Sequence, residues 1–123
     1  YDVNASGATY VAYLFASCPG VSKVGSYTAS AGDGASKNIP CGFTNGARFV
    51  MIKRTDSTGD WYVWDSARGI TTTNDPHLSL NSTAAEVTTL DSVYPASNGF
   101  SVMSNATTNL MVANATYIYL AIA

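Results

Sequence analysis

The chain has 123 residues, enough for one ordinary domain with its own core, and 46 % of them are hydrophobic against only 11 % charged. Gln is absent, Glu occurs once, Lys three times and Leu six times, while Thr, Val, Tyr, Gly and Asn abound; so few helix formers exclude a helical bundle or coiled coil and all but exclude an α/β enzyme. A net charge of −2 argues against nucleic acid as the main partner, and no apolar run reaches the ~18 residues needed for membrane insertion.

The chain starts at Tyr1 without an initiator Met or a leader-like charged segment, so Tyr1 reads as a processing site or a cloning boundary. Thr9 to Ala16 alternates and reads as a first strand, ended by Cys18-Pro19-Gly20. Ser22 to Thr28 is a second strand. Ala29 to Asn38 is small, polar and Gly-bearing, and reads as a loop. Ile39 to Phe43 reads as a short strand that Pro40 places at an edge, followed by a turn at Asn45-Gly46.

The clearest element is RFVMIKR-TDSTG-DWYVWDS, residues 48–66, a β-hairpin around a five-residue loop that contains Gly59. With Thr55 to Gly59 as the loop, Lys53 faces Trp61, Ile52 faces Tyr62 and Val50 faces Trp64. One face then carries Val50, Ile52, Tyr62 and Trp64, and the other Phe49, Met51, Trp61 and Val63. Both faces are apolar in the middle, so the hairpin is expected to be covered on both sides. A simple sandwich covers only one face of each sheet. The second cover has to be a loop, another chain or a ligand.

Ala67-Arg68-Gly69 is a turn and Thr71 to Pro76 a polar run. His77 to Asn81 alternates briefly, Glu86 to Thr89 and Gly99 to Ser104 read as short strands, and Ala115 to Ala123 reads as the last, with Ile118, Leu120 and Ile122 on one face. The two ends of the chain resemble each other. Ala8-Thr9-Tyr10-Val11 and Ala115-Thr116-Tyr117-Ile118 match, 107 residues apart. As a repeat, this makes residues 1–17 the closing strand of a preceding unit or an assembly strand.

Cys18 and Cys41 are the only thiols. A disulfide between them would add ~3 kcal/mol in the chain-entropy account; two free thiols are equally ordinary. Asn-x-Ser/Thr sequons start at Asn4, Asn81, Asn105 and Asn114, as expected by chance in so Asn-, Ser- and Thr-rich a chain.

Catalytic chemistry finds little support. His77 is the sole histidine, no G-x-S-x-G is present, and Glu86 is the only glutamate, so neither a hydrolytic triad nor a facing carboxylate pair is apparent. Asp56, Asp60 and Asp75 with loop carbonyls would suit calcium, but no EF-hand pattern exists, and Asp56 to Asp60 reads more simply as a hairpin turn. Gly32-Asp33-Gly34 lacks the rest of a phosphate-binding motif. No metal or cofactor is expected. Trp61, Tyr62 and Trp64, flanked by Lys53, Arg54 and Arg68, would stack on sugar rings, although a central hairpin more naturally spends its aromatics on the core. Loops suit recognition better, which brings in Asp33, Lys37, Asn74, Asp75 and His77. Thr9, Tyr10, Val11, Tyr13 and Phe15, with Tyr117 and Ile118, are the candidate assembly residues.

Taken in order, Thr9 to Ala16, Val21 to Thr28, Phe49 to Asp56 with Trp61 to Asp65, Leu78 to Glu86, Ser97 to Phe100 and Ala115 to Tyr119 resemble a β-rich domain of uncharacterised function. That domain is common in tail-fibre and structural proteins of tailed bacteriophages, where it often follows or is fused to concanavalin-like lectin modules. The likeness covers almost the whole chain and is specific only as a set. It departs at Ala29 to Asn38 and at Cys18, where a thiol is not usual, and it carries over no catalytic residue. In that family the strand ending in Phe-Ala commonly closes the preceding module.

The expectation is therefore a single all-β domain, an antiparallel β-sandwich of jelly-roll or lectin-like kind with about eight strands. The resemblance implies a non-enzymatic tail-fibre module of the virion that self-associates as a homo-oligomer, with a trimer as the common state, and that touches host-surface glycans through its loops. The alternative is a subunit of an extracellular or cell-surface filament or adhesin assembled by β-strand addition.

Overall fold

The structure, a computed structural model, describes residues 5–30 and 33–123. Tyr1, the Asn4 sequon and the centre of the 29–38 loop lie outside the described residues. The described residues are all-β, with eight strands in two antiparallel sheets: β1 (Ser22–Thr28), β2 (Ser36–Pro40), β3 (Phe49–Arg54), β4 (Trp61–Asp65), β5 (Leu78–Ser79), β6 (Val93–Ala96), β7 (Gly99–Met103) and β8 (Thr116–Ile122). The larger sheet runs β1-β8-β3-β4-β5 and the smaller β2-β7-β6.

The hairpin forms in the expected register, with Lys53 opposite Trp61, Ile52 opposite Tyr62 and Val50 opposite Trp64. The reason is local. Alternation fixes which side chains face inward, and a slip of one residue would exchange the faces. Val50, Ile52 and Trp64 are fully buried and meet Ile39, Phe43, Val93, Phe100 and Val102 in the core between the sheets.

The last strand enters the middle of the larger sheet, pairing with β1 on one side and β3 on the other. Its inward residues Tyr117, Tyr119 and Ala121 are buried. Tyr117 stacks on Tyr27 at a centroid distance of 4.7 Å. The buried phenols keep hydrogen-bond partners, as desolvation demands. Tyr117 Oη donates to the Asn109 carbonyl at 2.6 Å and accepts from Val112 N–H at 3.2 Å, and Tyr27 Oη donates to the Leu110 carbonyl at 3.1 Å. Burial raises the pKa of both. Gly25 leaves room for Tyr119: a Cβ there would lie 2.6 Å from the Tyr119 hydroxyl.

Several expectations need correction. Thr9 to Ala16 is not a strand: residues 8–17 take no regular secondary structure and are exposed throughout. An alternating segment becomes a strand only when its backbone pairs along an edge, and the arm meets β1, an edge strand of the larger sheet, only near the hinge, at Cys18–Ser22 and Ser17–Val24. Glu86 to Thr89 contributes only an isolated bridge, Val87 to His77. The loop after Ala29 is shorter than expected because β2 starts at Ser36. Cys18 and Cys41 are free thiols, the first exposed in the turn before β1 and the second buried. They form no disulfide.

Candidate functional site

Two regions carry the residues singled out in the sequence, and a third feature is assembled by the fold. The first region is the interior around Trp64. The Asp75 carboxylate is fully buried and accepts N–H bonds from Ser92 at 2.7 Å and Val93 at 2.9 Å. It ties the polar 71–76 run to the start of β6, so its place is structural. Burial raises its pKa, and the two backbone donors pull the other way. His77 is buried against Tyr62 and Trp64, with ring centroids 5.4 and 5.2 Å away. Burial lowers its pKa, opposed by Asp75 and then Glu86. His77 Nδ1 and Trp64 Nε1 have no full hydrogen bond, although the indole still favours the Asp75 carboxylate electrostatically.

Trp64, Asp75 and His77 therefore cannot stack on or contact a ligand from solvent. This corrects the surface-loop reading of Asp75 and His77. The signal missed in the sequence is that the backbone N–H groups of Ser92 and Val93 need a buried acceptor.

The second region is the far end of the hairpin. Arg54 Nε holds Asp56 Oδ1 at 2.8 Å, and Asp56 Oδ1 also accepts the Thr116 N–H at 3.3 Å. The guanidinium keeps the Asp56 carboxyl down at about 2. Arg54, Asp60, Tyr62, Thr107 and Asn109 line a cleft of about 80 Å³, well short of the roughly 300 Å³ at which small-molecule sites begin. Arg68 lies elsewhere, bonded to Asp65 and, through Nε, to Glu86 at 2.8 Å. Asp33 is held by Lys37 at 2.8 Å, and Asn74 N–H by Asp91 at 2.6 Å. The predicted polar residues are thus spread over the molecule and mostly occupied by one another.

The third feature is the outer face of the larger sheet, apolar along its middle and tipped by Lys53 and Asp65, with Ser22 and Ser26 on its β1 side. Alternation places Phe49, Met51, Trp61, Val63, Ile118, Leu120 and Ile122 on it, and the β1–β8 register adds Val24 beside Leu120. Its middle forms a groove of about 340 Å³ lined by Val24, Met51, Trp61, Ile118 and Leu120, with Phe15 at its margin. Ile118 is 41 % exposed. Among the described residues no sheet covers this side, whereas the inner side lies under β2, β7 and β6; even so, Leu120 and Val63 are buried within the chain, and Val24, Phe49, Met51 and Trp61 are half-buried.

Beside this groove runs the arm, residues 8–16. It leaves β1 through a tight turn, in which Cys18 N–H reaches the Ser22 carbonyl at 2.9 Å and Val24 N–H bonds the Ser17 hydroxyl at 3.1 Å. Beyond that hinge the side chains face away from the body: Val11 is 82 % exposed, Tyr13 82 % and Leu14 89 %. Of the candidate assembly residues, Thr9, Tyr10, Val11, Tyr13, Phe15 and Ile118 are exposed, while Tyr117 is fully buried in its own core.

Comparison with curated proteins and with solved structures finds no match. A family model does match, over residues 1–123, and its span includes the arm as well as both sheets. The chain accordingly belongs to the DUF7483 family, a domain of unknown function.

Proposed function

We propose that the chain is a non-enzymatic structural module of a bacteriophage tail fibre, held in a homo-oligomer that buries the outer face of its larger sheet. The observation that carries this reading is that face. A sheet in water on one side alternates apolar-in and polar-out, yet β3, β4 and β8 are apolar on both sides. Apolar area of this kind marks an interaction surface on a stable protein. The tail-fibre assignment draws on the family resemblance of the whole set of strand motifs. The sparse charge and abundant small hydroxyl side chains suit close, repeated packing. Contact with a host-surface glycan is the finer part of the proposal. It falls to exposed loop positions, since Trp64, Asp75 and His77 are enclosed.

The second reading, a surface filament or adhesin subunit assembled by strand addition, is favoured by one observation, the exposed apolar arm. Negative-stain images of the native particle, taken beside a glycan array on the same preparation, test the proposal. Elongated multimeric particles are expected. Compact single copies with the sheet face bare to solvent would overturn it, and a silent array would remove the glycan part alone.

A further inference from the structure

The groove on the outer face and the arm are complementary and lie in the same chain, but the chain does not fill one with the other. Its own arm reaches its own groove through Phe15 alone. Val11, Tyr13 and Leu14 are each more than four-fifths exposed. The twelve residues from Gly7 to Cys18 carry no charge, and an exposed apolar segment without a charged or proline guard is what natural chains avoid unless it is covered. Pro19 and Gly20 come only at the hinge.

We infer that the arm of one copy lies in the outer-face groove of a second copy, with Val11, Tyr13 and Leu14 packed against Val24, Met51, Trp61 and Ile118. This rests on the assembly reading above and names the partner as another copy of this chain. Three observations choose that occupant. The arm repeats the Ala-Thr-Tyr-aliphatic start of β8, the strand whose Leu120 lies between Val24 and Met51 in the floor of the groove. The exposed side chains of Val11, Tyr13 and Leu14 present on the order of 500 Å², the larger share of the roughly 800 Å² that each partner gives a standard interface. And Phe15 already stands at the groove margin, so a neighbour's arm would continue an apolar surface already in place. Two copies exchanging arms about a two-fold axis leave no groove and no arm unpaired.

The test is sedimentation of the full chain and of two full-length variants. Tyr13→Asp with Leu14→Asp disables the arm, and Ile118→Lys disables the groove. All three positions are exposed, so each variant should keep its thermal unfolding transition, which is the folding control. The wild type should self-associate, and each variant should do so at least ~30-fold more weakly, the size of a lost hot spot. Mixing the two variants should restore a mixed pair, because one intact arm then meets one intact groove.

A wild type that stays monomeric at roughly 100 μM, well above the micromolar constants of weak interfaces, would overturn the inference. So would an arm variant that keeps the wild-type mass. If Ile118→Lys dissociates such particles while the arm variant does not, the arm assignment falls and the buried-face reading stands. Arm-dependent pairs that show no fibre-like particle in the images would keep the arm assignment and remove the tail-fibre reading.

Discussion

The arm and β8 begin with nearly the same residues and meet opposite fates. Thr116, Tyr117 and Ile118 enter the centre of the larger sheet, where Tyr117 is sealed under Tyr27. Thr9, Tyr10 and Val11 stand in solvent. Side-chain pattern is common to both, so pattern does not decide. What differs is the pairing: β8 finds β1 and β3 along its whole length, while the arm meets β1 only near the hinge, through the Cys18–Ser22 bridge and the bonds of Ser17 to Val24 and of Ser22 to Ala16.

That contrast gives the largest predicted effect. Tyr117→Ala should destabilise the fold by about 3–5 kcal/mol, as for other large buried aromatics, and leaves Val112 N–H without its acceptor. The matching Tyr10→Ala should change unfolding by no more than about 0.5 kcal/mol. Urea unfolding of both at a concentration where the chain is monomeric makes the comparison, and equal losses would break it.

Gly25→Ala sharpens the same contrast. The new methyl group would drive into the Tyr119 ring, which is buried and pinned against Phe100, and overpacking of this kind costs about 1–3 kcal/mol. Gly7→Ala, in the turn just before the arm, offers the control: no atom lies within 4 Å of the added carbon, although its φ of 79° adds a local strain. A larger loss from Gly7→Ala than from Gly25→Ala would count against the assignment of the arm as unpacked.

The buried polar interior gives a smaller effect, visible only as a pH slope. Burial holds His77 below its ordinary value in the folded chain, so the unfolded chain binds the proton more readily. Its contribution is complete above about pH 6.5, the unfolded value, and is lost as pH falls through the lower folded value. Asp75, with its raised value, acts in the opposite sense: its contribution fades as pH rises through its folded value. The difference between the wild type and His77→Phe isolates the histidine. The variant should lose the acid-side slope in urea titrations from about pH 8 to about pH 5, and an unchanged slope would place the proton elsewhere.

The smallest effect concerns Asp56, whose carboxyl is kept at about 2 by Arg54. What the pair gives the hairpin loop is present above the ordinary carboxylate range and disappears only as pH falls through about 2. Amide exchange at Thr116, whose N–H bonds Asp56, should quicken in Asp56→Asn with little change in overall stability, since exposed ion pairs contribute little.

The parts of the fold legible in the sequence are those decided by near neighbours. The β3–β4 hairpin could be read with its register because alternation and a Gly-bearing loop of fixed length specify it together. β2 was legible only in part, its edge position read from Pro40 but its span placed at 39–43 rather than Ser36–Pro40, and β6 was hidden, for one reason. Both are edge strands of the smaller sheet, carry Pro40 and Pro95, and bury only one residue each in full, Ile39 and Val93. An edge strand needs few apolar residues and tolerates proline, so its pattern fades into that of a loop. Asp75 and His77 were misplaced because a polar residue in a polar run gives no local sign that distant backbone donors require it inside. The apolar doubling of the hairpin faces was plain from the start, but nothing in the sequence located the groove, which needs the β1–β8–β3 alignment to bring Val24, Leu120 and Met51 side by side.

The central claim is that the arm is ordered by a neighbouring copy. Hydrogen exchange of the arm amides, residues 9–16, at high and low protein concentration tests it most directly. Slow exchange in the concentrated protein that becomes fast on dilution, while β8 stays protected throughout, is the predicted result. Arm amides that exchange equally fast at both concentrations would contradict it.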